Sequence, residues 1–193
     1  MTEITHLKRS VITAMLISLC VVLPMAFHAI PGAGPMLLPM HIPVLLAGLI
    51  CGPLFGFAAG LSGPFLSSIL TGMPAAGFMP VMMIELSVYG AVTGFMMKHI
   101  HTGRSSIDLY ISLITAMLCG RAIAGTVQAL YFFDGTYVIG IWVTTYFVTS
   151  LPGIVIQLAF LPSMVMALER ERIIPLRYPI QSPSSAPVPS ALV

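Results

Sequence analysis

Arg121 stands in the apolar stretch LCGRAIAG, where a charged side chain is costly to keep away from water. An arginine in such surroundings binds an anion, which is either a carboxylate of the protein or the carboxylate or phosphate of a ligand. Glu85, in the apolar stretch MMIELSVYG, is the acid that we expect to pair with it. The two residues predict either a structural ion pair or a pair that also lines a polar cavity.

Further polar side chains are predicted at the same level of the protein. His41 opens an apolar helix and is either a helix-end hydrogen-bonding group or a ligand-binding residue. The other candidates are Tyr89, Gln128, Tyr146 and Gln157, to which Tyr131 and Asp134 could be added. Together these side chains favour a site for a small polar molecule. Trp142 is interpreted as part of an aromatic belt at the membrane interface.

The composition places these residues in an integral membrane protein. Of the 193 residues, 58% are hydrophobic and 7% are charged, whereas a soluble domain carries about 25% charged residues. The net charge of +2 is too small for a nucleic-acid-binding protein. The three cysteines lie in separate apolar stretches and are interpreted as packing residues, so neither a metal nor a cofactor is expected.

Six helices are predicted from the apolar runs, at 10–30, 41–51, 54–71, 80–98, 107–132 and 137–168. The helix 107–132 is expected to stop at Asp134-Gly135, and the last helix to bend at Pro152 and Pro162. Loops are expected at Pro31–Met40 and Thr71–Pro80. The predicted domains are a cytoplasmic N-terminus at 1–9, a membrane domain at 10–170 and a disordered Ser/Pro-rich cytoplasmic tail at 171–193.

The basic residues predict the orientation of this bundle. Seven of the eight lie before the first predicted helix, between the fourth and fifth, or after the sixth: Lys8, Arg9, Lys98, Arg104, Arg170, Arg172 and Arg177. Placing all seven in the cytoplasm requires an even number of crossings between the groups. Splitting the apolar run 41–72 at Gly52-Pro53 gives that number, although the segment 41–51, about 17 Å long, is too short to span. The sequence therefore predicts an all-α, six-helix bundle with both termini cytoplasmic.

The depth of the two intramembrane charges follows from this orientation. At 1.5 Å per residue, Glu85 lies about 8 Å and Arg121 about 16 Å below the outer surface. Their side chains are long enough to close much of this gap. Both charges are therefore expected in the outer half of the bundle.

Small residues recur at a spacing of four and predict close helix packing. Such stripes are formed by Gly48, Gly52, Gly56 and Gly60, by Gly90 and Gly94, and by Ala116, Gly120 and Ala124. A further stripe of Ser10, Ala14 and Ser18 in the first helix is kept open as a docking face for another membrane protein.

Several catalytic and energy-coupling motifs are absent from the sequence. It contains no GxxxxGK followed by Ser or Thr, no HExxH and no GxSxG. A single intramembrane acid beside an arginine is a poor site for a coupling ion. These features indicate a binding unit whose energy comes from another protein.

The sequence resembles the substrate-binding S components of energy-coupling factor (ECF) vitamin importers over about residues 8–170. The segments that carry the likeness are Leu38–Pro74, Glu85–Met96 and GRAIAG at Gly120–Gly125. The resemblance implies a six-helix fold in a prokaryotic plasma membrane. It also implies capture of a water-soluble vitamin or related micronutrient from outside, beneath the loops Pro31–Met40 and Gly72–Met79.

The resemblance further implies three partner proteins, namely a transmembrane coupling subunit and two ATPases. The family's AxxxA stripe, which contacts the coupling subunit, corresponds here to Ala14 and Ser18, so one alanine is replaced by serine. Arg121 for a carboxylate, with Glu85 and Gln128 for hydroxyl and amide groups, suits pantothenate, and a pyridoxine-like or pyrimidine-like vitamin satisfies the same groups. An autonomous membrane carrier and a membrane scaffold protein remain alternatives.

Overall fold

The computed structural model describes residues 5–27, 30, 32–131, 139–175 and 177–178, and the regular structure in these residues is helical. The elements are α1 (His6–Phe27), α2 (Ala33–Leu37), α3 (His41–Cys51), α4 (Pro53–Thr71), α5 (Met79–His99), α6 (Ser105–Tyr131), α7 (Ile139–Val143), a π-helical turn (Thr144–Thr149) and α8 (Leu151–Arg170). The all-α class predicted from the apolar runs is therefore confirmed.

Six segments of the described chain are long and apolar enough to cross a membrane. They are α1, the stretch Ala33–Cys51 that joins α2 and α3, α4, α5, α6 and α8. The predicted six-helix bundle is confirmed by this count. Many large apolar side chains, among them Leu54, Ile69 and Leu118, point outward from the chain, as expected for helices whose surroundings are lipid.

An even number of spans places the start of α1 and the end of α8 on the same side of the bundle. That side carries Lys8, Lys98 and Arg170. Because basic residues concentrate on the cytoplasmic side of membrane proteins, we call it the cytoplasmic end and the opposite side the outer end.

The predicted break at Gly52-Pro53 is confirmed. Gly52 separates α3 from α4 and has a φ of 97°, a region that is strained for residues with a Cβ. Pro53 occupies the first turn of α4, where its missing N–H leaves no hydrogen bond unmade. The 11-residue helix α3 does not reach across the membrane alone, and α2 extends it to the 19-residue stretch Ala33–Cys51.

The loop predicted at Pro31–Met40 is wrong in its middle, because Ala33–Leu37 forms α2. Gly32 and Leu38 flank this helix, and both have positive φ. A single turn of helix between two such residues gives no periodic apolar pattern, so the glycines and prolines of this segment concealed it.

The single helix predicted at 137–168 is also wrong. The described part of this region consists of α7, the π-helical turn and α8, with a break at Ser150. Pro152 consequently lies in the first turn of α8 and does not bend a continuing helix, whereas Pro162 lies inside α8. The predicted stop at Asp134-Gly135 lies outside the described residues.

Helices α3, α4 and α5 pack with their backbones in contact, because glycines face one another. A Cβ added at Gly48, Gly56 or Gly90 would overlap an atom of a neighbouring helix, and one added at Gly60 would overlap the backbone of Leu86. Close packing through these small residues is therefore confirmed. It fixes the position of α5, which carries two of the predicted site residues.

A polar cluster holds the cytoplasmic end together. Asp108 in α6 is fully buried and accepts hydrogen bonds from the backbone N–H (2.9 Å) and the hydroxyl (2.6 Å) of Thr102. It also accepts hydrogen bonds from Nε of Arg177 (2.7 Å) and from the hydroxyl of Tyr178 (2.5 Å). Arg177 donates a further hydrogen bond to the carbonyl of Ile100. We call Thr102, Asp108, Arg177 and Tyr178 the cytoplasmic cluster.

The segment that follows α8 packs on the bundle. Nζ of Lys8 donates to the carbonyl of Ile173 at 2.8 Å, and Ile174 is buried in the core. The expected disordered tail 171–193 differs from the structure in its first part, because residues 171–175, 177 and 178 are described and contact the helices. Residues 179–193 lie outside the described residues.

Candidate functional site

Two predicted site residues, Glu85 and Tyr89, come from adjacent turns of α5. They are four residues apart, so they share one face of the helix, and both are buried. The hydroxyl of Tyr89 accepts a hydrogen bond from Nε of Arg121 at 3.0 Å. The ring of His41, the first residue of α3, packs against the ring of Tyr89 with centroids 5.1 Å apart. Tyr89 thus connects α3 with α6, and we call these four residues the outer polar group.

Arg121 is buried without a carboxylate beside it. Arg121 is 3% exposed, and its guanidinium carbon lies 5.3 Å from the centroid of the Phe147 ring. Neither of the two ion pairs in the described part of the chain includes Arg121, so no described carboxylate lies within 4.0 Å of it. A buried charge without a counter-charge costs several kcal/mol by desolvation. The arrangement can therefore bind an anion.

The expected ion pair between Glu85 and Arg121 is wrong. Oε1 of Glu85 lies 3.7 Å from Nε2 of His41 instead. Tyr89 lies one turn, about 6 Å, deeper than Glu85, which brings it close to the depth derived for Arg121. The tyrosine therefore occupies the place that the prediction gave to the acid. It interacts electrostatically with both Glu85 and Arg121.

The imidazole of His41 is buried without a hydrogen bond to the described chain. The residue is 2% exposed, and neither Nδ1 nor Nε2 has a hydrogen-bond partner among the described residues. Its backbone N–H donates to the carbonyl of Leu38 at 3.0 Å. The ring therefore does not serve as the helix-end hydrogen-bonding group, which was one of the two interpretations from the sequence. Both ring nitrogens can take part in ligand binding.

The motif GRAIAG makes room for aromatic rings on both sides of Arg121. The ring of Tyr89 lies against Gly120, and the indole of Trp142 lies against Gly125, in positions where a Cβ would overlap them. Nε1 of Trp142 donates to the backbone carbonyl of Arg121 at 3.2 Å. The two glycines thus let aromatic side chains fix the helix segment that presents the arginine.

Two aromatic residues near Arg121, Trp142 and Phe147, were not predicted as part of the site. Trp142 contacts the site instead of forming only an interfacial belt, and it meets the ring of Phe147 edge-on at 5.3 Å. Phe147 was not predicted as a site residue. Both lie in the broken segment of α7 and the π-helical turn, where no helical periodicity could indicate the face they share.

The remaining predicted residues form two separate contacts. The hydroxyl of Tyr146 donates to Oε1 of Gln128 at 3.0 Å, which ties the π-helical turn to α6. Nε2 of Gln157 in α8 donates to the carbonyl of Leu38 at 3.4 Å and thus holds the connection between α2 and α3. Asp134 and the side chain of Tyr131 lie outside the described residues.

An apolar crevice of about 340 Å³ lies between α1, α3 and α8. Its lining residues are all apolar and include Ile42 and Pro43, which follow His41 in α3. A water-soluble ligand finds no hydrogen-bonding side chain there. The polar side chains of the outer half lie where α3 contacts α5, and Tyr89 of α5 connects them with α6.

The predicted docking stripe lies on the outside of the bundle. Ser10, Ala14 and Ser18 are all exposed along α1, whereas Leu16 and Cys20 of the same helix face the core. The hydroxyls of the two serines donate to backbone carbonyls of their own helix, at 3.0 and 3.1 Å. The stripe is therefore a small-residue surface with its polar atoms already satisfied.

Most of the chain is similar to a family of membrane transport proteins. Residues 8–165 match the family model described as "ECF transporter, substrate-specific component". No curated protein and no solved structure matches the chain. Within the described ranges, no group of three His, Cys, Asp or Glu residues is placed to hold a metal ion.

Proposed function

Since the chain belongs to the family of substrate-specific components of ECF transporters, we propose that the outer polar group binds the transported substrate. The protein is a multi-pass membrane protein and a substrate-binding transport subunit, not an enzyme. The observation that carries the proposal is the buried Arg121, which has no carboxylate within 4.0 Å in the described chain. A charge kept at such cost inside a membrane bundle indicates a functional site.

The substrate that we propose is a small water-soluble vitamin or related micronutrient, captured from outside with high affinity. Pantothenate is the first candidate, because its carboxylate suits Arg121 while its hydroxyl and amide groups suit Glu85, Gln128 and the ring nitrogens of His41, which have no hydrogen-bond partner in the described chain. Pyridoxine-like and pyrimidine-like vitamins are the next candidates. Tyr89, Tyr146 and Gln157 complete the set of residues proposed to contact or position the ligand.

A ligand screen of the purified full chain in lipid nanodiscs tests this function. A ligand that binds the folded state stabilises it by about 2.7 kcal/mol at one hundred times its Kd. At least one water-soluble vitamin should therefore raise the temperature of unfolding in a saturable manner. If none does so at millimolar concentration, the proposed function fails.

The partners that we propose are a transmembrane coupling subunit and two ATPases, with the coupling subunit docking on Ser10, Ala14 and Ser18. The exposure of this stripe supports docking, because small residues let a second helix approach closely. Ala14→Trp should abolish ATP-dependent uptake in the assembled transporter while vitamin binding by the isolated chain stays unchanged. Loss of binding in this variant would instead place Ala14 in the internal packing.

The alternative function is that of an autonomous carrier, and a flux measurement separates the two. Proteoliposomes with this chain alone should not concentrate the vitamin, whether or not an ion gradient is imposed. Gradient-driven accumulation without the coupling subunit and the ATPases would contradict the ECF assignment of the transport step.

A further inference from the structure

Arg121 has no carboxylate in direct contact in the described chain. Glu85 is 3.7 Å from His41, and Arg121 has no described carboxylate within 4.0 Å. Arg121 is also the only one of the eight Lys and Arg residues that lies away from the cytoplasmic end. The guanidinium of Arg121 therefore offers a binding point for an anion.

The other unmet requirement of the group is at His41. Both of its ring nitrogens are buried and have no hydrogen-bond partner in the described residues. A buried polar atom left in this state costs about 1–3 kcal/mol, which a ligand hydroxyl or amide recovers. The two unmet requirements thus differ in kind, since one needs an anion and the other needs a neutral hydrogen-bonding group.

Tyr89 sets the relation between these two binding points. Its hydroxyl contacts Nε of Arg121, while its ring packs against the ring of His41. An extended small molecule that lies along this tyrosine reaches both points. A molecule with charge alone or with hydroxyls alone satisfies only one of them.

We propose that the substrate is a monoanion, with a carboxylate that binds Arg121 and a hydroxyl or amide group that binds His41. This inference rests on the proposed function and narrows its substrate class. It excludes cationic vitamins, because these would add to the charge of Arg121. It also excludes phosphate esters with two negative charges, because the described outer half holds no second Lys or Arg for the second charge.

Matched ligand pairs test the proposal with the purified full chain in nanodiscs. The pairs are pantothenate with panthenol, nicotinate with nicotinamide, and pyridoxal with pyridoxal phosphate, and thiamin serves as the cation. The ligand that stabilises the protein should be a monocarboxylate, and its neutral counterpart should bind at least about tenfold more weakly, as expected for one charge-assisted hydrogen bond. Equal or tighter binding of the neutral, cationic or phosphorylated compounds overturns the inference and leaves the transport function intact. If no compound binds, the function fails and the inference with it.

Variants separate the role of Arg121 from a general effect on folding. Arg121→Gln should remove the preference for the carboxylate over its neutral counterpart, and Arg121→Lys should keep a weakened preference. Arg177→Gln, the matched change in the cytoplasmic cluster, should leave the preference unchanged. A carboxylate preference that persists in Arg121→Gln contradicts the proposal.

Asp134 requires its own variant, because it lies in 132–138, outside the described residues. Under the proposal, Asp134→Asn changes the preference for the carboxylate by no more than about twofold, the range of a change away from the site. A carboxylate preference that arises only in Asp134→Asn would show that Asp134 neutralises Arg121, and it would overturn the proposal.

Discussion

Among the described residues, the outer polar group and the cytoplasmic cluster lie at opposite ends of the bundle, and their hydrogen-bonding and charge requirements are satisfied to very different degrees. In the cytoplasmic cluster, the carboxylate of Asp108 accepts four hydrogen bonds and forms an ion pair with Arg177. In the outer polar group, Arg121 donates to one tyrosine hydroxyl and has no described carboxylate nearby. Asp108 and Arg121 both lie on α6. The same helix therefore carries a carboxylate whose hydrogen bonds and charge are satisfied and a guanidinium without a described carboxylate partner.

The difference separates a structural role from a binding role. A buried ion pair whose lone pairs and protons are all engaged recovers its desolvation cost inside the protein. A buried cation without a carboxylate in contact and an imidazole without a hydrogen-bond partner recover it only when a ligand arrives. The cytoplasmic cluster is therefore expected to contribute to stability and the outer polar group to binding, and single-residue variants of the two groups test that division.

The largest expected effect on stability is that of Asp108→Ala. The change leaves Arg177 without its carboxylate and removes the acceptor for Thr102 and Tyr178, so unfolding should become easier by about 3 kcal/mol. Thermal or denaturant unfolding in nanodiscs measures this loss, and vitamin binding to the remaining folded protein should be unchanged. An unaltered stability would show that the cluster does not hold the cytoplasmic end together.

Arg121→Ala should have a smaller effect on the ligand-free protein. It removes one hydrogen bond to Tyr89 but also the desolvation cost of an unpaired charge, so the free energy of unfolding should change by less than about 1 kcal/mol. The same unfolding experiment measures it. A loss as large as that of Asp108→Ala would show that Arg121 belongs to a structural ion pair, as one interpretation of the sequence held.

A matched pair of tyrosine changes sharpens the comparison with the smallest perturbation. Tyr178→Phe removes one hydrogen bond to Asp108 and should lower the free energy of unfolding by about 1 kcal/mol without lowering the affinity for the ligand. Tyr89→Phe frees Nε of Arg121 and should weaken ligand binding about fivefold with a smaller loss of stability. The reverse assignment of the two effects would contradict the proposed division of roles.

The helices could be predicted from the sequence because apolar runs, prolines and basic residues each report on one segment at a time. The break at Gly52-Pro53 is an example, since a positive φ and a first-turn proline follow from the two residue types. The helix α2 and the π-helical turn at Thr144–Thr149 could not be predicted, because neither is long enough to show a periodic pattern.

Which side chains of the candidate site contact one another depends on how the helices pack. The sequence of a single segment does not indicate that packing. The sequence named His41, Glu85, Tyr89 and Arg121, but it paired the wrong two. Depth alone already favoured Tyr89 over Glu85 as the neighbour of Arg121, by about one helical turn. The contact between Glu85 and His41 had no such signal, because it depends on the close approach of α3 and α5 at Gly48 and Gly90.

The measurement that tests the central claim most directly is a calorimetric titration of the stabilising vitamin into wild type, Arg121→Ala and Arg177→Ala under identical conditions. We expect one saturable site in wild type and in Arg177→Ala, and an affinity lower by at least about thirtyfold in Arg121→Ala, the loss of a charge-assisted contact. Arg121→Ala protein that is folded and binds the vitamin as tightly as wild type would contradict the assignment of the outer polar group as the substrate site.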